Sequence, residues 1–398
     1  MKTFGRNLLL ILASTLVCGL VVEIGMRIAG ISYPVLGIMD EHRGFAGAPD
    51  AEGWQTAEGR AYIVMNGDGL RDREHALAKP PDTLRIAVLG DSYAQALQVD
   101  IAETFWSILE RDLNSCPALS AQTVEVINFG VGGYSTAQEL LTLRHQAWKY
   151  DPDVVLLAFL SGNDLGDNTR EIRTSATVPY FILKDGELVL DNSYRDTAFN
   201  VKIALGYDRL INILNKLRIV QVIKEARRVL PAVLSPGDEQ SPGRYPPEIF
   251  NDGLQHAVYA PPRNAAWAKA WEVTEAILAQ TVKEVREGGA DFWLVHLTNG
   301  IQVHPDTDVR EAFRRHLGLS DLRYPNRRLA ALAERLDIPL VDLADPLAEH
   351  AAANSVYLHG FSGSEGRGHW NAEGHKAAGR VIAESMCEAF SQGKETDR

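Results

Sequence analysis

Residues 84–92 read LRIAVLGDS, and this stretch decides the predicted fold. The apolar run 84–89 is short, rich in β-forming residues and stops at Gly90, as buried parallel strands do. Asp91 and Ser92 follow directly and are typical of a turn into a helix. We therefore predict a buried strand that passes into a helix at Ser92.

Further apolar runs of the same kind follow this strand along the chain, at 124–129, 154–160, 292–297 and 338–343. Helical patterns separate or follow them, at 103–113, 136–148, 265–287, 326–336 and 372–390. Alternating strands and helices imply right-handed βαβ crossovers. The sequence thus predicts an α/β protein with a five-stranded parallel sheet covered by helices on both faces.

The composition excludes several classes of protein. Among 398 residues, 40 Lys and Arg stand against 52 Asp and Glu, a formal net charge of −12 that disfavours a nucleic-acid binder. A hydrophobic content of 45% is enough for a large core. Three scattered cysteines form no C-x-x-C pair, so we predict no metal site, and we assign no cofactor.

The first 34 residues predict a membrane segment. Residues 8–22 carry no charge and follow a basic amino-terminal end. The span reaches membrane length if Glu23 and Arg27 pair at i, i+4 or extend toward the interface. We expect an uncleaved anchor in the inner or cytoplasmic membrane, with the later chain periplasmic or on the cell surface. A cleaved signal peptide and a buried core helix are the alternatives.

The remaining chain divides into an extension at 35–80 and a main domain at 81–398. Within the main domain, residues 178–262 interrupt the alternation and predict an insertion that caps the sheet. Asp185-Gly186 predicts a hairpin inside it. An amphipathic stretch at 203–230 and a Pro-, Gly- and Ser-rich loop at 231–247 follow.

Turns that contain polar residues or glycine follow the predicted strands, at the carboxyl edge where doubly wound parallel sheets bind ligands. Ser92 follows the first strand, Gly133 lies in a glycine-rich turn after the second, and Asn163 follows the third. His369 precedes the last helix. A serine at a strand-to-helix turn can act as a nucleophile, histidine as its general base, and the Gly133 and Asn163 donors can stabilise an oxyanion.

These blocks resemble those of a known family, the SGNH (GDSL-like) hydrolases, and most closely its membrane-anchored extracytoplasmic members. The blocks are Gly90-Asp91-Ser92, residues 128–133, Gly162-Asn163-Asp164, and His369 with Asn371 and Gly374. The resemblance implies a flavodoxin-like, doubly wound sheet, with Ser92 as nucleophile and His369 as base. It also implies an oxyanion hole made by the Ser92 N–H, the Gly133 N–H and the Asn163 side chain.

The sequence departs from the family at the orienting acid. The family places an aspartate two or three residues before the histidine, where this chain has Gly366 and Arg367. Glu365 is the nearest substitute, and a backbone carbonyl on the imidazole is the alternative. Asp342 and Asp345 follow the last strand and are interpreted as loop or cap residues.

Two cysteines, Cys116 and Cys387, lie outside the predicted anchor. In a flavodoxin-like winding the first and last helices pack on the same face, which brings the two residues within reach of each other. We predict a disulfide between them, with two unrelated buried thiols as the alternative.

The expected function is that of a membrane-tethered serine esterase acting on acyl or acetyl esters of carbohydrate or lipid. Its expected partners are that ester substrate and the membrane, with no nucleic acid. An O-acyltransferase using the same site, and a non-catalytic glycan-binding or envelope assembly protein, are the alternatives. A nucleotide binder is disfavoured because the first strand-helix turn has no phosphate loop.

Overall fold

The chain folds into alternating strands and helices in a computed structural model that describes residues 2–197, 201, 206–234 and 255–396. In chain order, the strands are β1 (Gly37–Asp40), β2 (Gly44–Gly47), β3 (Glu52–Gln55), β4 (Ala61–Val64), β5 (Thr83–Gly90), β6 (Thr123–Asn128), β7 (Val154–Phe159), β8 (Tyr180–Lys184), β9 (Glu187–Asp191), β10 (Asp291–His296) and β11 (Leu340–Asp342). The helices are α1 (Lys2–Ile28), α2 (Ser92–Gln95), α3 (Phe105–Leu113), α4 (Thr136–His145), α5 (Asp164–Asp167), α6 (Tyr207–Asn215), α7 (Arg218–Leu234), α8 (Ala265–Glu287), α9 (Thr307–His316), α10 (Tyr324–Leu336), α11 (Ala344–Asn354) and α12 (Ala372–Thr396).

Five strands form the central sheet, in the order β11-β10-β7-β5-β6, and every neighbouring pair is parallel. Read from β6, the strands follow the flavodoxin-like order 2-1-3-4-5. All five predicted apolar runs are strands of this sheet, so the predicted fold class is confirmed. The predicted helical patterns correspond to α3, α4, α8, α10 and α12, with differences of a few residues at their ends.

The packing of β5 explains the uninterrupted apolar run at 86–89. Ile86 and Val88 pack into the layer of α3, α11 and α12, whereas Ala87 and Leu89 pack into the opposite layer of α4, α8 and α10. All four side chains are buried. A strand covered on both faces cannot alternate apolar with polar residues, which is the origin of the continuous run.

The last strand is shorter than predicted, covering 340–342 instead of 338–343. Asp337 ends α10 in the left-handed conformation, with φ of 51°. The Ile338 N–H then donates to the carbonyl oxygen of Ala333 at 3.1 Å. Ile338 therefore belongs to the end of the helix.

The predicted disulfide is present. Cys116 and Cys387 are bonded, with Cα atoms 5.8 Å apart, and they join the segment after α3 to α12. The two helices pack closely at Gly379, where an added Cβ would lie 2.8 Å from the Ile108 side chain. The prediction of one shared face for the first and last helices is confirmed.

Helix α1 is exposed along most of its length. Phe4–Ile28 is long and apolar enough to cross a membrane, a property shared by membrane anchors and signal sequences. Arg27 pairs with Glu23 at 2.7 Å, which is the first of the two arrangements considered for these residues. The charges near the end of the apolar stretch are therefore paired.

The extension at 35–80 packs closely on the edge of the sheet formed by the carboxyl ends of its strands. Arg71 is buried, and its guanidinium donates to the carbonyl oxygens of Gln95, at 2.8 Å, and of Ala96 and Val99. Burial lowers the pKa of Arg71 to about 10. The Asp72 carboxylate in turn accepts from the N–H of Asn128 at 2.9 Å. The extension thus contacts the segment beyond Ser92 and the end of β6.

The insertion begins with the predicted hairpin, β8–β9. Asp185 and Gly186 both have positive φ, 54° and 84°, as a tight hairpin turn requires. Helix α7 continues through Pro231 to Leu234, four residues past the predicted end of the amphipathic stretch. The rest of the predicted loop, 235–247, lies outside the described residues.

The helical part of the insertion differs from the predicted cap. We predicted that the insertion covers the sheet, but α7 contacts α1 and the β3–β4 hairpin, where Thr56 donates to Glu225 at 2.7 Å. The returning chain does approach the sheet edge, since the Gln255 N–H donates to the carbonyl oxygen of Gly162 at 2.7 Å.

Candidate active site

Ser92 opens the short helix α2 directly after β5. Asp91 caps this helix, because its carboxylate accepts the N–H of Tyr93 at 2.8 Å. Gly90 permits the tight turn, since an added Cβ would lie 2.8 Å from the Ala94 side chain. Within the described part of the chain, the Ser92 N–H has no hydrogen-bond partner. The turn therefore presents both the hydroxyl and a free N–H at the sheet edge.

His369 meets Ser92 at this edge. The distance between Ser92 Oγ and His369 Nε2 is 2.8 Å, which suits proton transfer from hydroxyl to imidazole. Tyr93 supports the histidine, because its ring packs against the imidazole with centroids 5.0 Å apart and its hydroxyl donates to the Gly368 carbonyl. The structure thus brings together the two residues that the sequence predicted as nucleophile and base.

Glu58 holds the other side of the imidazole. Its Oε2 lies 2.8 Å from His369 Nδ1, and the Glu58 side chain is 35% exposed. Burial raises the pKa of Glu58, but the hydrogen bond and charge of His369 outweigh it, so that the pKa lies below its ordinary value. An ionised carboxylate at Nδ1 keeps the proton there and leaves Nε2 free to accept the serine proton.

This contact corrects the prediction for the orienting acid. Glu365 accepts a hydrogen bond from the Gly363 N–H at 3.2 Å, while Glu58 occupies the position on Nδ1. Sequence reasoning missed Glu58 because it lies 311 residues from His369, in the turn between β3 and β4. The available signal was a hairpin pattern around Gly59, which indicates a turn but does not show what the turn contacts.

The residues predicted as oxyanion donors lie in loops next to the Asp91–Ser92 turn. Gly133 has φ of 81°, and its N–H has no hydrogen-bond partner among the described residues. An added Cβ on the preceding Gly132 would lie 3.6 Å from the Ser92 Cβ, so this turn runs against the serine. Asn163 Nδ2 donates to Asp91 Oδ2 at 2.7 Å, which fixes the amide and leaves its second N–H proton available.

Buried carboxyl groups lie behind these loops. Asp91, Glu139 and Asp164 are all buried. Burial raises the pKa of Asp91, although the hydrogen bond from Asn163 acts in the opposite direction. Burial and the negative charge of Asp91 raise the pKa of Glu139 well above its ordinary value. Burial and repulsion from Glu139 and Asp91 do the same for Asp164. Both groups therefore bind a proton more readily than an exposed carboxylate does.

A second histidine near the start of α12, His375, lies apart from the candidate site. It is buried in α12, where its Nδ1 lies 3.3 Å from the N–H of Phe105. Burial lowers its pKa to about 3, so the imidazole is neutral. The described residues contain no group of three or more His, Cys, Asp or Glu side chains that could hold a metal ion.

A second serine-histidine pair is closed to substrate. Ser161 Oγ lies 3.2 Å from His296 Nε2, but both residues are fully buried. The nearest carboxylate oxygen to His296 Nδ1, from Asp342, is 3.8 Å away, too far for a hydrogen bond. Asp342 instead accepts a hydrogen bond from the N–H of Ala344 at 3.1 Å, and Asp345 pairs with Arg323. The prediction that both aspartates are loop or cap residues is therefore wrong, since Asp342 is the last residue of β11 and Asp345 lies in the first turn of α11.

Comparisons with known proteins found similarity only to solved structures. No family model matches the chain, and no curated protein matches it. Among solved structures it is similar to a protein assigned to the G-D-S-L family of lipolytic proteins from Desulfitobacterium hafniense, at 13% identity and a TM-score of 0.34, covering 76% of this chain and 98% of that one.

Two esterases are matched at similar levels. One is an acetyl xylan esterase, at 12% identity and a TM-score of 0.36, covering 76% of this chain and 98% of that one. The other is a catalytic mutant of an acetylxylan esterase from Geobacillus stearothermophilus, at 13% identity and a TM-score of 0.37, covering 75% and 92%. In its own strand order, and in the four motifs that meet at one edge of its sheet, the chain resembles the SGNH (GDSL-like) hydrolases.

Proposed function

We propose that this protein is a serine esterase in which Ser92, His369 and Glu58 form the catalytic triad. The observation that carries the proposal is an unbroken chain of contacts, 2.8 Å from Ser92 Oγ to His369 Nε2 and 2.8 Å from His369 Nδ1 to Glu58. Each member has the partner that its role requires.

The geometry supports an acyl-enzyme mechanism. His369 takes the Ser92 proton as the oxygen attacks the ester carbonyl carbon, and the Ser92 and Gly133 N–H groups with Asn163 stabilise the oxyanion. His369 then gives its proton to the departing alkoxide, which leaves an acyl group on Ser92. In the second half, water attacks this ester and loses a proton to His369, which then passes it to Ser92 Oγ as the bond from Ser92 to the acyl group breaks and the acid is released.

The substrate class is an acyl or acetyl ester of a carbohydrate or lipid. The side chains of His369 and Glu58 are 23% and 35% exposed, so the site opens to solvent and leaves room for a bulky ester. If a sugar hydroxyl replaces water in the second half, the same acyl-enzyme becomes an O-acyltransferase intermediate. Product analysis with an excess of a sugar acceptor separates the two activities.

The proposed location is a single-pass tether in the inner or cytoplasmic membrane, with the catalytic domain periplasmic or on the cell surface. Two observations support it. Helix α1 exposes an apolar surface of membrane length, and the Cys116–Cys387 disulfide suits an oxidising compartment.

The test is hydrolysis of p-nitrophenyl acetate by the detergent-purified full chain. We expect Ser92→Ala and His369→Ala to lower kcat by roughly 10⁴- to 10⁶-fold. Ser161→Ala is the matched control, because it removes the hydroxyl of the buried serine-histidine pair. A fluorophosphonate probe should label Ser92 and leave Ser161 unmodified.

Equal rates in the wild type and both triad variants, together with no labelling of Ser92, would reject the esterase. The non-catalytic glycan-binding or envelope assembly protein would then be the better proposal. The argument for a non-catalytic protein is that no aspartate stands before His369 to orient the imidazole. The Glu58 carboxylate on His369 Nδ1 counters this argument.

A further inference from the structure

Helices α6 and α7 expose an apolar surface outside the catalytic site. Apolar side chains recur at helical spacing on both helices, and the exposed ones include Leu210, Ile213, Leu214, Ile223, Val229 and Leu230. Contiguous apolar surface of this kind marks a binding face in proteins. The charge and the position of α6 and α7 indicate what this surface binds.

The charge of this segment is opposite to that of the chain. Residues 207–230 contain six Lys and Arg and two Asp and Glu, a net charge of +4 in a chain of −12. Lys216, Lys224 and Arg227 are exposed. Glu225 lies on the protein side of α7, where it accepts from Thr56. Basic amphipathic helices with exposed aliphatic residues are typical of membrane surfaces that contain anionic lipids.

The position of the segment follows from its contacts with α1. The Glu23 carboxylate accepts the N–H groups of Arg218 and Ile219, each at 3.1 Å, at the start of α7. Arg27 donates to the carbonyl oxygen of Lys216 at 2.9 Å. The junction of α6 and α7 therefore lies at the end of the apolar stretch of α1, where a spanning helix leaves the hydrocarbon core.

We propose that α6 and α7 lie in the membrane interface, with their apolar faces among the acyl chains and their basic side chains among anionic headgroups. The inference rests on the proposed tether through α1 and goes beyond it, because it makes the bilayer a binding partner of the folded domain. The protein is then held to the membrane in a defined orientation and not only by a single helix.

The β3–β4 hairpin connects the proposed interfacial helices with the candidate active site. Glu225 of α7 accepts a hydrogen bond from Thr56, two residues before Glu58 in the β3–β4 turn. The N–H of Trp54 donates to the carbonyl oxygen of Ser32, in the segment that follows α1. The hairpin that carries the candidate triad acid therefore contacts α7 and the segment that follows α1.

The experiment measures the depth of a fluorophore on the full chain in phosphatidylcholine–phosphatidylglycerol vesicles. A bimane label is placed on the native Cys18 of α1, or on Ile213→Cys or Leu230→Cys in a Cys18→Ser background. Leu77→Cys is the matched control, since Leu77 is 54% exposed and Leu230 is 53% exposed. Leu77 lies beside the amino end of β5, where its carbonyl accepts from Arg85.

We expect lipids spin-labelled near the headgroup to quench the labels at 213 and 230, and lipids spin-labelled near the chain end to quench Cys18. The label at 77 should be quenched by neither. In phosphatidylcholine alone, quenching at 213 and 230 should decrease while that at Cys18 is unchanged.

Quenching at Cys18 without quenching at 213 and 230 would overturn this inference and leave the tether standing. An unquenched label at Cys18 would reject the tether and the interfacial helices with it. Thermal unfolding of each labelled variant verifies that the cysteine substitutions leave the fold intact.

Discussion

At the scale of single residues, Glu58 decides how the histidine works. A serine-histidine pair needs the imidazole in one tautomer, with its proton on Nδ1. The 2.8 Å contact between Glu58 and Nδ1 provides this, and the lowered pKa of Glu58 keeps the carboxylate charged. In the proposed triad, the orienting acid therefore comes from the amino-terminal extension.

Replacing Glu58 by Gln tests this role. The amide lacks the charge and can hold the wrong tautomer, so kcat of Glu58→Gln should fall by up to about 10⁴-fold. Glu365→Gln is the control and should retain nearly full activity. Within the described chain, the Glu365 carboxylate accepts a hydrogen bond only from the nearby Gly363 N–H. Steady-state kinetics on p-nitrophenyl acetate compares the two, and equal losses would contradict the assignment.

Glu139 makes the stability of the fold depend on pH. Burial and the neighbouring Asp91 raise its pKa far above the ordinary value of 4.5, and neither carboxyl oxygen has a hydrogen-bond partner within the described residues. The folded state therefore binds a proton that the unfolded state releases. This contribution to stability is complete below about pH 4.5 and is lost as the pH rises toward the folded pKa.

Glu139→Gln should remove this dependence. We expect the free energy of unfolding of the wild type to decrease between about pH 5 and pH 8 more steeply than that of Glu139→Gln. Urea unfolding at several pH values measures the slope, with the exposed Glu187→Gln as the control. Parallel slopes in all three proteins would show that Glu139 titrates normally.

At the scale of elements, the β3–β4 hairpin delivers Glu58 through a close approach at Gly59. An added Cβ at Gly59 would collide with the carbonyl oxygen of Gln98 and lie 2.8 Å from the Phe361 ring. The turn is thus wedged between the segment after α2 and the segment before His369. Only a residue without a side chain lets the hairpin reach this depth.

Gly59→Ala should therefore displace the hairpin and misplace Glu58. We expect kcat to fall by about 10²-fold, because misplacement of a catalytic group by about 1 Å can cost that much. Gly67→Ala lies in the same extension, where an added Cβ comes no nearer than 3.5 Å to a neighbour, and should keep its activity. If both variants lose activity equally, the effect belongs to the extension as a whole and not to the Glu58 turn.

At the scale of the whole molecule, the Cys116–Cys387 disulfide joins residues 271 positions apart. It connects the segment after α3 with α12, the helix that begins soon after His369. Cross-linking over such a distance restricts the unfolded chain strongly in the loop-entropy view. The bond therefore stabilises the arrangement of the first and last helices of the domain.

Removing the bond should lower the stability of the fold by about 2–5 kcal/mol. Denaturant unfolding of a Cys116→Ala/Cys387→Ala variant measures the loss, and added reductant should reproduce it in the wild type. Cys18→Ser should leave the free energy of unfolding unchanged, since Cys18 is an exposed free thiol in α1. An unchanged midpoint on reduction would show that the bond adds nothing.

Local patterns were sufficient for much of this protein. The continuous apolar runs predict buried parallel strands, and the glycine, serine and histidine motifs follow directly from the strand ends and the last helix start. Because parallel strands gather their carboxyl ends at one edge, the sequence alone could place Ser92 near His369, Gly133 and Asn163. It could also predict the pairing of Cys116 with Cys387, once the winding of the sheet was assumed.

Only the tertiary structure decided which carboxylate meets the histidine and where the amphipathic helices lie. Glu58 reaches His369 because an irregular extension folds back over the sheet edge. The hydrophobic pattern of a sequence cannot predict a contact between a turn and a residue 311 positions away. Likewise, α7 packs on α1 and the β3–β4 hairpin because of specific hydrogen bonds at Glu23 and Thr56. Periodic patterns report which face of an element is buried, whereas its partner is chosen by packing among distant parts of the chain.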